Sequence, residues 1–272
     1  MTFLQRNAYR IGCGAASLVW PFFKKRRKIA VDNLIKGKVA RDEVEAQVIA
    51  KRSFCHFAGH VLEAVFASKV ITSENWREHF DFSKADREAE KALLEQLDTP
   101  ILLVSCHHGC WEAATHVIPH RRPMIAIMRM MDNPLLRRWM ERRKFRGAVT
   151  LVDRNRGINT AVIGKWMKEK SAFTILTDQH AYGGAKLKFF GRPAMTVTSA
   201  ARLAIRFGVP VVVGSFVRTG PFMYRAICGA PLRFGKGDER DKVAQILNDK
   251  LEEAIRQCPE QYLWIHRRWR DD

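Results

Sequence analysis

Residues 101–112 read Ile101-Leu102-Leu103-Val104-Ser105-Cys106-His107-His108-Gly109-Cys110-Trp111-Glu112. Four aliphatic residues that give way to polar ones and a glycine have the form of a buried strand running into a tight turn. From Ser105 to His116 the chain holds His107, His108 and His116, Cys106 and Cys110, and one acid, Glu112. If a helix begins at Glu112, the two adjacent histidines stand on the strand-to-helix turn. Glu112 then lies in the first helical turn, where the macrodipole favours a carboxylate. A glycine turn lets that carboxylate fold back on His107, fix one ring nitrogen and leave the other free as a base able to deprotonate an alcohol.

Working outward, short apolar runs recur at 124–128, 149–152, 173–176, 187–190 and 209–217, separated by helix-like stretches. Strands alternating with helices predict an α/β fold, a mixed and partly parallel sheet flanked by helices. Ligands of such sheets bind beyond the carboxyl ends of the strands. That rule singles out Ser105 to Glu112, Arg129, Asp153 to Asn155, Asp178 with Gln179, and Arg218. Before these runs, apolar residues at helical spacing predict a long helix from about Arg41 to Lys69.

The 101–116 stretch leaves three other readings open. His108, Glu112 and His116 fall at i, i+4 and i+8 and could present three zinc ligands on one helical face. Cys106 or Cys110 beside a histidine could be a nucleophile. All of these residues could instead be polar groups of a helix start with no chemistry.

The chain has 272 residues and is 47% hydrophobic, which suffices for a full core. Its formal charge of +19 points to a polyanionic partner: nucleic acid, an anionic membrane surface or an acidic protein. The six cysteines form no CxxC pair, which excludes zinc ribbons and fits a reducing compartment better than a disulfide scaffold. Residues 11–23 are free of charge and are followed by Lys24-Lys25-Arg26-Arg27-Lys28. As a helix this run reaches roughly 20 Å, short of the roughly 30 Å of a bilayer core. It reads as an interfacial anchor with Trp20, Phe22 and Phe23 at headgroup level and the basic block against anionic lipid. A helix covering the core would have a similar composition, and a secretory signal fits poorly with five basic residues directly after the apolar run.

His107-His108-Gly109-Cys110-Trp111-Glu112 resembles the His-x4-Asp/Glu box of glycerolipid-type acyltransferases, and most closely the form found in the bacterial lipid A late acyltransferases, the lauroyl and myristoyl transferases. The resemblance continues in Met128-Arg129 with Asp132-Asn133-Pro134, in Leu151-Val152-Asp153-Arg154, in Thr177-Asp178-Gln179, in Phe189-Phe190-Gly191-Arg192-Pro193 and in the closing Pro259 to Trp269. It spans residues 100–270 in order. His108 stands where the close family usually has Phe, and Cys110 where it has Asn.

The resemblance implies direct acyl transfer from a thioester, carried on an acyl carrier protein, to a hydroxyl of a lipid A-type glycolipid. A lysophospholipid or a glycosylated inositol lipid is the alternative acceptor. His107 and Glu112 would be the catalytic pair, and Arg129, Arg154, Asp178 and Gln179 would bind substrate. Neither cofactor nor metal is implied. Residues 1–28 would form a helical membrane-associating segment and 29–272 the acyltransferase domain, peripheral or monotopic on the cytoplasmic face of the bacterial inner membrane. A nucleic-acid-binding protein remains the competing class, but charge is its sole support and no nucleic-acid partner is expected.

Overall fold

The computed structural model describes residues 1–128 and 148–270. The amino-terminal part is helical: α1 (Phe3–Val19), α2 (Lys24–Lys36) and the long α3 (Glu43–Val70). The remainder alternates strands β1 (Phe80–Asp81), β2 (Ile101–Ser105), β3 (Met124–Met128), β4 (Val149–Asp153), β5 (Ala172–Leu176), β6 (Ala185–Phe189), β7 (Arg192–Thr196), β8 (Val211–Gly220) and β9 (Met223–Cys228) with helices. Those helices are α4 (Arg87–Leu94), the single turn α5 (Ala114–Val117), α6 (Thr160–Lys168), α7 (Ser199–Phe207) and α8 (Arg240–Gln257).

Seven strands form one sheet in the order β1-β9-β8-β2-β5-β3-β4. Every neighbouring pair is parallel except β8 with β9. The α/β expectation therefore holds, with a mostly parallel sheet; β6 and β7 form a separate antiparallel ribbon. Strand β2 is buried at all five positions, and its side chains alternate between two cores. Leu102 and Val104 pack with Phe173, Trp166 and Leu251 on one face, and Ile101 and Leu103 with Leu93, Val117 and Val212 on the other. A strand covered on both faces reads as a continuous aliphatic run, as Ile101-Leu102-Leu103-Val104 does.

Asp42 starts α3 by accepting from the Glu45 N–H. Helix α1 lies against α3 through Ala8, Gly12 and Ala16. A β-carbon on Gly12 would come within 2.6 Å of the Ala58 carbonyl oxygen, so the two backbones meet closely there. Most large apolar side chains of this segment, Phe3, Leu4, Ile11, Leu18 and then Phe22, point outward, with Phe3 and Phe22 each 81% exposed; Trp20, expected at headgroup level, is instead buried in the core, its ring 5.0 Å from that of Phe54. Small residues inward and large ones outward is the reverse of a helix that covers a core. No described helix is long and apolar enough to cross a membrane.

Gly14 sits on the open side of α1 with nothing within 4 Å of an added β-carbon. Gly14→Ala is expected to stabilise the protein by roughly 0.5–1 kcal/mol through helix propensity, whereas Gly12→Ala is expected to destabilise it by about 1–3 kcal/mol through overpacking. Denaturant unfolding of the two variants measures the contrast.

Candidate active site

Parallel pairing sets the site. The β2–β5 register aligns Ser105 with Leu176, and the Thr177 N–H donates to the Ser105 carbonyl at 3.1 Å. Two residues further on, His107 and Asp178 leave adjacent strands side by side. Asp178 accepts from the His107 backbone N–H at 3.0 Å through one oxygen and from Nδ1 at 2.9 Å through the other. Gln179 Nε2 stands 3.3 Å from His107 Nε2. A carboxylate at Nδ1 and an amide donor at Nε2 select the tautomer with its proton on Nδ1 and an unprotonated Nε2 that accepts from Gln179.

The carboxylate that orients His107 is therefore Asp178, and Glu112 does not fill the orienting position expected from the His-x4-Glu spacing. Gly109, at φ +62°, turns the chain where a β-carbon would lie 2.1 Å from the Phe216 carbonyl oxygen. Trp111–Ala113 then forms a 3-10 turn. The Trp111 ring contacts both His107, with centroids 5.2 Å apart, and His60 of α3, at 4.7 Å. Glu112 is carried toward α3, and its Oε2 meets His60 Nε2 at 2.6 Å.

Burial disfavours charge on His107, but the Asp178 carboxylate and its hydrogen bond outweigh it and, with Glu112, raise the imidazole above its ordinary range. Burial likewise pushes Asp178 up, yet His107 and the charge of Arg268 hold it down at about 2. The pair is thus poised to carry an imidazolium next to a fixed carboxylate.

The neighbouring candidates are occupied elsewhere. His108 is wholly buried, with Nδ1 2.8 Å from Ser215 Oγ and Nε2 2.9 Å from the Cys258 carbonyl, and burial lowers its pKa to about 4. That geometry takes it away from Glu112 and His116, so the three do not converge on a metal. Among the described residues no group of three His, Cys, Asp or Glu side chains is arranged to hold one. Cys106 and Cys110 are enclosed, and burial raises both thiols. An enclosed thiol with a raised pKa is a poor nucleophile. His116, the third residue of that zinc spacing, lines the cavity and is held near 4 by burial.

A cavity of about 800 Å³ opens beyond the carboxyl ends of β2, β3, β4 and β5. His107, Glu112 and Gln179 stand on its wall, Arg154 and Arg202 are exposed residues of its lining, and Ile127, Met128, Leu151, Ile158, Ile175 and Leu176 give it an apolar interior. Asp178 lies behind His107 and does not itself line the cavity. Arg129 falls outside the described residues. Arg218, one of the strand-end candidates, is turned inward onto Glu63, with Nη2 2.9 Å from Oε2. Two residues of consequence escaped the sequence reading. His60 had only its place among apolar neighbours on a helix, and Arg202 its first-turn position on α7 near a strand-end cavity.

The fold sets a strand-end histidine at the wall of a largely apolar cavity. The model of the bacterial lipid A biosynthesis acyltransferase family matches residues 3–271. The chain belongs to that family and is an acyltransferase. It is 25% identical to a lipid A biosynthesis lauroyltransferase of Escherichia coli strain K12 over 286 residues, covering 96% of this chain and 85% of that protein. A palmitoleoyltransferase of lipid A biosynthesis from the same strain, and a lipid A biosynthesis acyltransferase of Shigella flexneri, are each 24% identical over 265 residues, covering 96% of this chain and 84% of theirs.

His108→Phe is expected to preserve turnover, because both ring nitrogens face structural partners. It leaves the Ser215 hydroxyl and the Cys258 carbonyl unpaired, at a stability cost of about 1–3 kcal/mol. Parallel thermal unfolding and activity assays check this, and a loss of turnover with stability intact would contradict it.

Proposed function

We propose that this protein transfers a fatty acyl group from an acyl-acyl carrier protein thioester to a hydroxyl of a lipid A-type glycolipid, with His107 as general base. The observation that carries the reading is the imidazole clamped at Nδ1 by Asp178, with its acceptor nitrogen at the wall of a largely apolar cavity. Acyl chain and acceptor can meet there. His107 Nε2 takes the proton of the acceptor hydroxyl as its oxygen attacks the thioester carbonyl. The tetrahedral oxyanion collapses, the C–S bond breaks, and the imidazolium returns the proton to the leaving thiolate. The products are an ester and a free thiol, and no covalent enzyme intermediate is needed.

Asp178 takes the orienting role and stabilises the imidazolium, as a buried carboxylate behind a catalytic histidine does. Glu112 adds a second negative charge near the same ring. The Gln179 amide and Arg154, together with Arg129, are donors suited to a developing oxyanion or to substrate phosphates. Arg202 adds a second exposed arginine beside Arg154 on the same cavity wall.

The +19 charge suits both an acidic carrier protein and anionic lipid. Residues 1–28 act as the interfacial anchor and 29–272 as the transfer domain, on the cytoplasmic face of the inner membrane. The outward apolar row of α1 and the basic start of α2 support that placement.

Three experiments test this reading. His107→Ala is expected to lose at least roughly 100-fold in kcat while staying folded; near-normal turnover would end the assignment. The pH profile reads the partner. The base must be neutral to act and Asp178 raises its pKa, so the acid limb of kcat/KM is expected above the ordinary histidine value of about 6.5. Asp178→Asn should lower the maximal rate and shift that limb to lower pH, and an unmoved limb would exclude Asp178 as the partner. For the anchor, Leu18→Glu combined with Phe22→Glu is expected to release the protein from anionic vesicles in a flotation assay, with its unfolding transition unchanged.

A further inference from the structure

Helix α3 carries four buried polar side chains, Ser53, which donates to the Tyr262 carbonyl, and then His56, His60 and Glu63. The last three engage the turn after β2 or the strand beside it. His56 Nε2 lies 3.1 Å from the Gly109 carbonyl, with the Tyr9 hydroxyl 3.0 Å from its Nδ1. Glu63 takes Arg218 of β8 in a two-pronged ion pair, and β8 in turn accepts the Cys110 N–H at the Phe216 carbonyl, 2.7 Å away. His56 thus holds the backbone of the turn and Glu63 an arginine side chain that does not line the cavity, whereas the partner of His60 is a side chain of the cavity wall.

His60 is 2% exposed, with its Nε2 at 2.6 Å from Glu112 Oε2. The two atoms form a close ionic contact rather than an aligned hydrogen bond. Glu112 Oε2 is fully enclosed, while the Glu112 side chain as a whole is 41% open, on the cavity side. One carboxylate oxygen is thus gripped from behind and the rest of the group faces the space that His107 also lines. The Trp111 ring packs edge-on against His60 and closes the gap between the two histidines. Burial opposes charge on His60, but Cys110 and Glu112 raise it well above the ordinary histidine value, and His60 lowers Glu112 against the effect of burial. A carboxylate buried without such a partner would protonate or turn away.

We propose that His60 is a positioning residue for acyl transfer, which grips one oxygen of Glu112 and so aims the carboxylate across the cavity at the imidazolium that forms on His107. The inference rests on the reading of His107 as the base. It assigns the two carboxylates of the site separate parts: Asp178 orients the ring from the sheet side, and Glu112, steered by α3, supplies charge from the helix side. The charge matters once the imidazolium has formed, so losing it lowers kcat and leaves KM for both substrates nearly unchanged.

The test is a double-mutant cycle on the full-length protein with acyl-thioester donor and lipid acceptor. His60→Phe is expected to lower kcat roughly 10- to 100-fold with KM for donor and acceptor within about threefold, since misplacing a reacting group costs this much. His60→Gln, which keeps a donor of similar reach, should recover most of the loss. In a Glu112→Gln background, His60→Phe should cost less than about threefold, because the group it positions has already lost its charge. If His60→Phe does not fold, His60→Asn takes its place, polar but too short to reach Glu112, with the same losses expected.

Normal kcat in His60→Phe or His60→Asn, equal losses in the Gln and Phe variants, or multiplicative losses with Glu112→Gln would each overturn the proposal. His107→Ala is assayed alongside. Full turnover there would bring down the base assignment itself, whereas a dead His107→Ala with an unimpaired His60→Phe overturns the role of His60 alone.

Discussion

The pairing of two parallel strands is the constraint on which the site depends. Because β2 and β5 run side by side with Ser105 opposite Leu176, the residues two positions beyond them emerge together, and they are His107 and Asp178. Asp178 grips the backbone N–H of His107 as well as its ring, so backbone position and ring orientation are fixed by one buried carboxylate. The strands are held by cores on both faces, so register is dictated by burial. A slip by one residue would move every side chain of β2 from one core into the other.

A second framework stands on the other side of the turn. Helix α3 presses three polar side chains onto the 109–112 backbone, the Glu112 carboxylate and Arg218 of β8, and α1 crosses it at a close glycine contact. The same α1 turns its large apolar side chains outward. The segment proposed as the lipid anchor and the helix that braces the turn of His107 are therefore packed against each other.

Much of this was legible in the sequence. The aliphatic run 101–104, alternation of strands and helices and the strand-end rule located the sheet, the cavity edge and His107. The partner of His107 was not legible, because local spacing favours Glu112, five residues away, whereas sheet register brings in Asp178 from 71 residues away. Asp178 and Gln179 were singled out as substrate contacts, and the geometry draws both onto His107. The role of His60 was hidden for a related reason. A polar residue on a long apolar helix signals burial, but what it is buried against depends on how that helix docks. The substitution of His108 for the usual Phe of the family looks chemical in a sequence and proves structural, with both ring nitrogens engaged inside the protein.

The central claim is that this site builds an ester on a glycolipid hydroxyl from an acyl thioester. Its most direct test is mass spectrometry of an underacylated lipid A acceptor incubated in mixed micelles with the purified protein and an acyl-acyl carrier protein. The account predicts that the acceptor gains the mass of one acyl group through an alkali-labile ester, and that an equal amount of free carrier thiol appears. An unchanged acceptor with the thioester intact, or with all of its acyl group released as free fatty acid, would contradict it.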